Sequence, residues 1–424
     1  MRMSFKPFDL YEQIEHSLMT VLADGEREWI IRRHCGLLRR GGNGRRDWMS
    51  MSLNTLHSEE IKLSPARRRI LENSLAIENP PDLNRMVRQH DKLFELLDRL
   101  LPGAWKVQYR SEMNRRFHMT QEQEPVVRRF DYLGVLVSLQ LDCTGQVMEI
   151  GEGNAYGTQF NIDGLCRRIE TVVANHRNRK AVSIQGPIDL VLAPGDGAIL
   201  FHEIAGHSLE ADHIAQHRSP FWQAKAGDRV ASETLTLSSG DPKDTFFGTI
   251  TCDDEGEKHK AVDLVQQGRL SALMGDSFHR SEIDGCHKGF ARCSDYTQVP
   301  QPRMFGLFVR PGDMDPDEII SRIRRGVYAR EFGPGNALLE RDRFQFRIHS
   351  ADLIEDGRIT APIGAVDVQG SIRDTLLNIR NVGSDFRFDR GVSYCVKNRQ
   401  AVHVRVGQPT VHIGQAEIRP AVMK

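Results

Sequence analysis

The chain has 424 residues, 39% of them apolar and 27% charged, the make-up of a globular protein with material for two or three cores. Lys and Arg number 57 and so do Asp and Glu, so the formal net charge is zero and a general polyanion-binding surface is not indicated, which leaves room only for local patches. No run of about 18 apolar residues occurs, and the opening MRMSFKPFDLYEQIEHSL lacks a secretory core, so neither a membrane span nor a signal is expected.

In chain order, residues 10–23 carry helical apolar spacing and predict an amphipathic helix. REWIIRRHCGLLRR and RDWMSMSLNTL, joined by GGNG, predict a β-hairpin. Its Arg32, Arg33, Arg39, Arg40, Arg45 and Arg46 are expected on a solvated surface. Residues 84–101 predict a helix, YLGVLVSLQLD a half-buried strand, GEGNAYG a loop and residues 163–173 a further helix. Together these make an N-terminal α/β domain spanning residues 1–187.

The texture changes at Ile188. IDLVLAP reads as a buried strand and GDG as a tight turn, with a helix starting directly after it. Short strand-like runs follow: DTFFGTITCDDEG, MFGLFVRPG, FQFRIHSADLIEDGRITAPIGAVDVQG and VHVRVGQPTVHIG. The helix DPDEIISRIRRGVY interrupts them, with Asp315 as N-cap and Pro316 at the first helical position. Asp356-Gly357 predicts a two-residue hairpin turn. Residues 188–424 are thus expected to be a β-rich domain carrying one functional helix, and the fold class is α+β. The seven cysteines are scattered and odd in number, which fits reduced thiols in a cytoplasm better than a disulfide framework.

The helix after GDG holds the chemistry. ILFHEIAGHSLEAD presents His202, Glu203 and His207. Two histidines on one helix face can supply two zinc ligands, and a Glu beside the first can act as base toward a metal-activated water. Here the histidines stand at i and i+5, which in a regular helix puts them about 140° apart. One residue accommodated as a π-bulge restores an offset like that of i and i+4. Ala205 and Gly206 are small enough to tolerate it, so a widened helix is expected around residues 204–207. A third ligand must come from elsewhere: Glu210, Asp212, His213, His217, Cys286, His287, Cys293 and Cys395 are all candidates that spacing cannot separate. His213 and His217 are expected at the surface rather than in a second metal site.

LAPGDGAILFHEIAGHSLEAD resembles the signature of the TldD/PmbA family, in its TldD-like form with His-Glu-x-x-x-His. The likeness continues in order through DDEG, PRMF, DPDEIISRIRRGVYAREFGPG, ADLIEDGRITAPIGAVDVQG and CVKNRQAVHVRVGQPTVHIG, covering the second half of the chain. The N-terminal half departs from the family pattern, with LLRRGGNGRRDW where a Gly-x-Gly-Val-Arg strand is usual. The resemblance implies a cytoplasmic zinc-dependent peptidase, with His202, His207 and Cys395 as ligands and Glu203 as general base. It implies extended or unfolded peptides, or a leader peptide, as substrate in a dimeric chamber. That chamber would be a homodimer or a heterodimer with a PmbA/TldE-like subunit. The divergent first half also admits a small-molecule intermediate of a natural-product pathway as substrate. A non-catalytic scaffold subunit is the reading of another class, and Glu203 argues against it.

Overall fold

The structure is a computed structural model that describes residues 8–21, 26–40, 48–52, 90–119, 126–141, 147–155, 160–180, 184–240, 252–295 and 297–421. The first half is built on a six-stranded antiparallel sheet. Its strands lie in the order Trp48–Ser52, Glu26–Arg40, Phe8–Val21, Trp105–Met119, Val126–Gln140, Val147–Ala155. Helices Asp91–Leu100 and Ile162–Asn178 supply Leu93, Leu97, Leu165, Ile169 and Val173 to a core shared with Val107, Tyr109, Val135, Val137 and Ile150 of the sheet. The second helix begins at Asn161, whose side chain accepts from the Gly164 amide at 2.9 Å.

The helix expected over residues 10–23 is instead a strand. Phe8–Val21 runs in unbroken antiparallel register with Glu26–Arg40 on one side and with Trp105–Met119 on the other. Leu10, Ile14 and Leu18 recur every four residues, a spacing that suits a helix stripe and one face of a strand equally. Pairing along both edges decides between them. The expected hairpin forms, pairing Gly36 with Ser52 through Arg40 with Trp48; its turn lies outside the described residues, as does the start of the helix expected over 84–101. GEGNA is not a loop but the end of strand Val147–Ala155. A Cβ on Gly153 would fall 2.1 Å from the Gly391 carbonyl oxygen, so this glycine admits a segment of the second half.

In the second half, five strands pair in a closed ring: Arg325–Leu338, Gly186–Leu192, Val411–Pro420, Val366–Ser371 and Arg343–Glu355, which returns to the first. Arg343–Glu355 and Arg358–Ile363 are joined by Asp356 and Gly357, both at positive φ (46° and 78°), the geometry a two-residue hairpin turn demands. Asp315 caps helix Pro316–Ser321, accepting from the amides of Asp317 and Glu318. That helix ends earlier than its sequence suggests, because Arg325 onward is claimed by the ring. A Cβ on Gly326 would lie 2.9 Å from the Asp189 carbonyl oxygen of the neighbouring strand. DTFFGTIT lies wholly outside the described residues. A second six-stranded sheet contains Leu237–Ser239, Gly306–Val309 and Arg405–Gln408. The helix that follows Gly186–Leu192 lies against Gly306–Val309, Arg405–Gln408 and the ring strand Arg325–Leu338, so it is buried between two sheets.

Candidate metal centre

The strand Gly186–Leu192 ends in a turn at residues 194–197, with Gly195 at φ 102°. Ala198–Phe201 begins as α-helix, widens to a π-helix over His202–Gly206, then tightens to a 3₁₀ turn over His207–Leu209. The amide of His207 donates to the carbonyl of His202, five residues back. This is the widened turn that the i, i+5 spacing requires. Its effect is to bring the two rings together, with centroids 4.9 Å apart and planes at 80°. Gly206 permits it: a Cβ there would meet Met304 Sδ at 2.2 Å.

Cys395 arrives from 188 residues downstream. It lies on strand Tyr394–Lys397, paired with Gln400–His403 through a turn in which Asn398 and Arg399 both have positive φ. Its sulfur is 3.3 Å from His207 Nε2. One side-chain donor atom from each of His202, His207 and Cys395 lies within 4.8 Å of the others, and all three residues are buried. Both ring nitrogens of His202 are buried without a hydrogen-bond partner. A fully buried imidazole in that state loses hydration with nothing in return, unless a ligand takes its lone pair. Burial pushes the Cys395 thiol up, but His207 and His202 beside it prevail and hold it well below the usual thiol range. The surroundings therefore favour the thiolate, the form that binds metal.

Glu203 neighbours this cluster, its Oε1 3.9 Å from His202 Nε2. Its side chain is 24% exposed where that of His202 is 0%, so solvent reaches part of it beside the buried cluster.

The remaining candidates separate clearly. Glu210 is fully buried and accepts from His207 Nδ1 at 2.9 Å. Burial pushes its carboxyl up, but His207 and Lys397 hold it well below the usual carboxylate range. Burial opposes protonation of His207 too, and Glu210 and Cys395 raise it nonetheless. Asp212 pairs with Lys397 at 2.8 Å. His213 was expected at the surface, yet its Nε2 lies 3.7 Å from Glu210 Oε2, and it forms a second three-member group with His207 and Glu210. His213 follows Glu210 by one helical turn, which draws it inward. His217 is exposed and stacks on Trp222. Cys286 and Cys293 are buried apart from the cluster; burial pushes the Cys286 thiol up to about 12, and the Cys293 amide donates to Asp254. Among the described residues, these two groups, which share His207, are the ones in which three donors lie within 4.8 Å of one another.

Two buried cations had not been singled out from the sequence. Arg303, fully buried, donates to the Gln400 carbonyl at 2.9 Å and to the Cys395 carbonyl, gripping both strands of the hairpin that presents the sulfur. Lys397 reaches Glu210, Asp212 and the Pro302 carbonyl. Period-2 alternation from Cys395 was the one signal available for Lys397, and a lysine is ordinarily solvated.

A family model described as the PmbA/TldA metallopeptidase C-terminal domain matches residues 185–419, which hold the motif helix, the ring and the Cys395 hairpin. The chain belongs to the PmbA/TldD metallopeptidase family. A metalloprotease of Methanothermobacter thermautotrophicus is 35% identical over 233 residues, 55% of this chain and 50% of that protein. The zinc metalloprotease TldD homolog of Saccharolobus solfataricus is 25% identical over 326 residues, 74% of this chain and 71% of that one. The crystal structure of TldE from Thermococcus kodakarensis superposes with a TM-score of 0.71 at 15% identity, covering 98% of this chain and 96% of that one, which establishes likeness of fold. The match spans about half the length of the first of these relatives. No helix among the described residues is long and apolar enough to cross a membrane.

Proposed function

We propose that this chain is a zinc-dependent peptidase that hydrolyses extended or unfolded peptides, a leader peptide among them. His202, His207 and Cys395 are its metal ligands and Glu203 its general base. The observation that carries this reading is the convergence of two imidazoles and one sulfur within 4.8 Å, with both nitrogens of His202 buried and unpartnered. The donor set fits zinc: imidazole nitrogen and thiolate sulfur are its usual ligands, and three protein donors is the count of catalytic sites, not of closed structural ones. The name of the Saccharolobus solfataricus relative includes zinc, which supports the choice of metal.

Zinc, when bound, supplies Lewis acidity that polarises a scissile carbonyl and acidifies water. Glu203, partly exposed beside the cluster, takes a proton from the attacking water and passes it to the leaving amine. His202 and His207 are held to the helix by a backbone that cannot relax without losing the π-turn, so the donors are preorganised. A peptide in extended form meets a β-rich surround, and recognition through backbone pairing carries weak sequence preference.

This reading takes the chain as two domains, residues 1–187 and 188–424, the second carrying the chemistry. It takes the working unit as a dimeric chamber, either two copies or one copy with a PmbA/TldE-like subunit, supported by full-length likeness of fold to a TldE. It places the protein in the cytoplasm, supported by five described cysteines that are all free.

Purified protein is expected to carry about one zinc per chain, and to lose it in His207→Ala and in Cys395→Ser. Glu203→Gln should retain the zinc and lose peptide hydrolysis by roughly 10²-fold or more. Zinc retained in both ligand variants, or full turnover by Glu203→Gln, would overturn the assignment.

A further inference from the structure

The reading above assigns the atoms that touch the metal and leaves Glu210 and Lys397 without a role. Glu210 is 0% exposed, and its Oε2 stands 2.9 Å from His207 Nδ1 and 2.7 Å from Lys397 Nζ. Lys397 is buried as well, and Asp212 at 2.8 Å and the Pro302 carbonyl at 3.0 Å complete its contacts. On strand Tyr394–Lys397 the residue between Cys395 and Lys397, Val396, is 66% exposed while both its neighbours are buried. The strand therefore sends its sulfur to one side of the His207 ring and its ammonium to the carboxylate on the other.

We propose that Glu210, anchored by Lys397, is the positioning residue of His207. This rests on the zinc reading. A carboxylate oxygen only accepts, so the bond at Nδ1 requires that nitrogen to carry the proton. In the neutral imidazole that metal ligation requires, Nε2 is then left with the lone pair, on the side that faces Cys395 Sγ at 3.3 Å. The same bond fixes the ring's rotation and raises its basicity as a ligand. Lys397 keeps the carboxylate in place, so one strand supplies both a donor and the support for a second donor.

The other role open to Glu210 is as a ligand itself, in the group with His207 and His213. An ammonium 2.7 Å from Oε2 opposes a cation on that oxygen, because the cation would face a like charge already in place; Oε1 is buried with no hydrogen-bond partner, so a cation held by Glu210 would have to take that oxygen. Nδ1 of His207 is also the wrong nitrogen for a cation shared with Cys395, whose sulfur approaches Nε2.

The test is competition for zinc against a chromophoric chelator, together with absorption spectra of the cobalt-loaded protein. It compares the wild type, Glu210→Gln, and Glu210→Gln combined with Lys397→Met, which removes the ion pair as a unit. Glu210→Gln is expected to weaken zinc binding about 10- to 100-fold with an unchanged circular dichroism spectrum. The sulfur-to-cobalt charge-transfer band should persist, since Cys395 is intact, while the ligand-field bands shift. Should the single variant fail to fold, the double variant is read against the same expectation. Zinc affinity within about twofold of wild type and unshifted ligand-field bands would overturn the positioning role alone. A second equivalent of cobalt, present in wild type and lost in Glu210→Gln, would make Glu210 a ligand and overturn it too. A wild-type chain that binds no zinc would sink the function proposed above, and this role with it.

Discussion

Between His202 and His207, one residue too many for a regular helix decides the local backbone. An i, i+5 pair is about 140° apart on an ideal helix, and the hydrogen bond from the His207 amide to the His202 carbonyl absorbs the excess. The small residues that make this possible were visible in the sequence, because a π-bulge is a local event and its requirements are local. Gly206 carries the sharpest of them, since a Cβ there would stand 2.2 Å from the sulfur of the fully buried Met304. Gly206→Ala should therefore lower stability by roughly 1–3 kcal/mol in denaturant unfolding. Combined with Met304→Ala, the loss should be smaller than the sum of the two single losses, because the second change removes the clash. Strict additivity would show that Gly206 does not serve this contact. Cys395 was different in kind. Spacing says nothing across 188 residues, so among eight candidates only the resemblance to a family selected it. Glu210 was visible as a residue one turn beyond His207, but its partner Lys397 was not, since nothing local distinguishes a buried lysine from a solvated one.

Elements were legible where turn or cap chemistry marked them, and illegible where long-range pairing overrode a local pattern. Asp315-Pro316 and Asp356-Gly357 state their own geometry, and the structure has both. Phe8–Val21 offers a four-residue repeat that fits either period, and only the edges of its neighbours resolve it. Residues after Ser321 leave the helix for the same reason. The hairpin Tyr394–Lys397 with Gln400–His403 is the element on which the candidate site depends most, because two short strands must hold a sulfur in register with a helix 188 residues away. Arg303 is what fastens it, bonding to a carbonyl on each strand from a fully buried position. Arg303→Met keeps an apolar stem of similar reach and removes every donor. It should cost roughly 2–4 kcal/mol of stability in urea unfolding of the metal-free chain. It should also reduce the zinc content of protein purified under identical conditions. If zinc content and unfolding midpoint both stay at wild-type levels, the hairpin is held by its own strand pairing. On helix Pro316–Ser321, which supplies none of the three donors, Asp315→Ala removes a side chain that caps two amides. It should cost about 1 kcal/mol with no change in zinc content, a control for loss of stability without loss of a donor.

At the scale of the whole molecule, the two halves meet through charge close to the turn that launches the motif helix. Arg168, on helix Ile162–Asn178 of the first half, lies 3.6 Å from Glu152, 3.9 Å from Asp196 and 3.6 Å from Glu331. Asp196 is part of the turn before Ala198–Phe201, and it also accepts from the Arg390 amide at 3.2 Å. The Arg390 carbonyl in turn accepts from the Gly153 amide at 2.6 Å. Burial, and then the nearby Asp196, push the Glu331 carboxyl up to about 7 against the pull of Arg168. The same two causes push Asp389 up to about 7. These shifts fix a sign. A carboxyl whose folded pKa lies above its unfolded one binds more protons in the folded state between the two values, so its contribution to stability falls as pH rises. For Glu331 the window runs from its ordinary 4.5 up to about 7. Glu331→Gln should therefore be more stable than wild type above about pH 7, with the advantage shrinking as pH falls toward 4.5. Urea midpoints of the two proteins, taken at steps across that range, isolate this group, because every other titration is common to both and cancels in the difference. A difference that stays flat, or that grows as pH falls, would mean that Glu331 is ionised throughout and that Arg168 neutralises it. In that case the junction would be an ordinary ion pair.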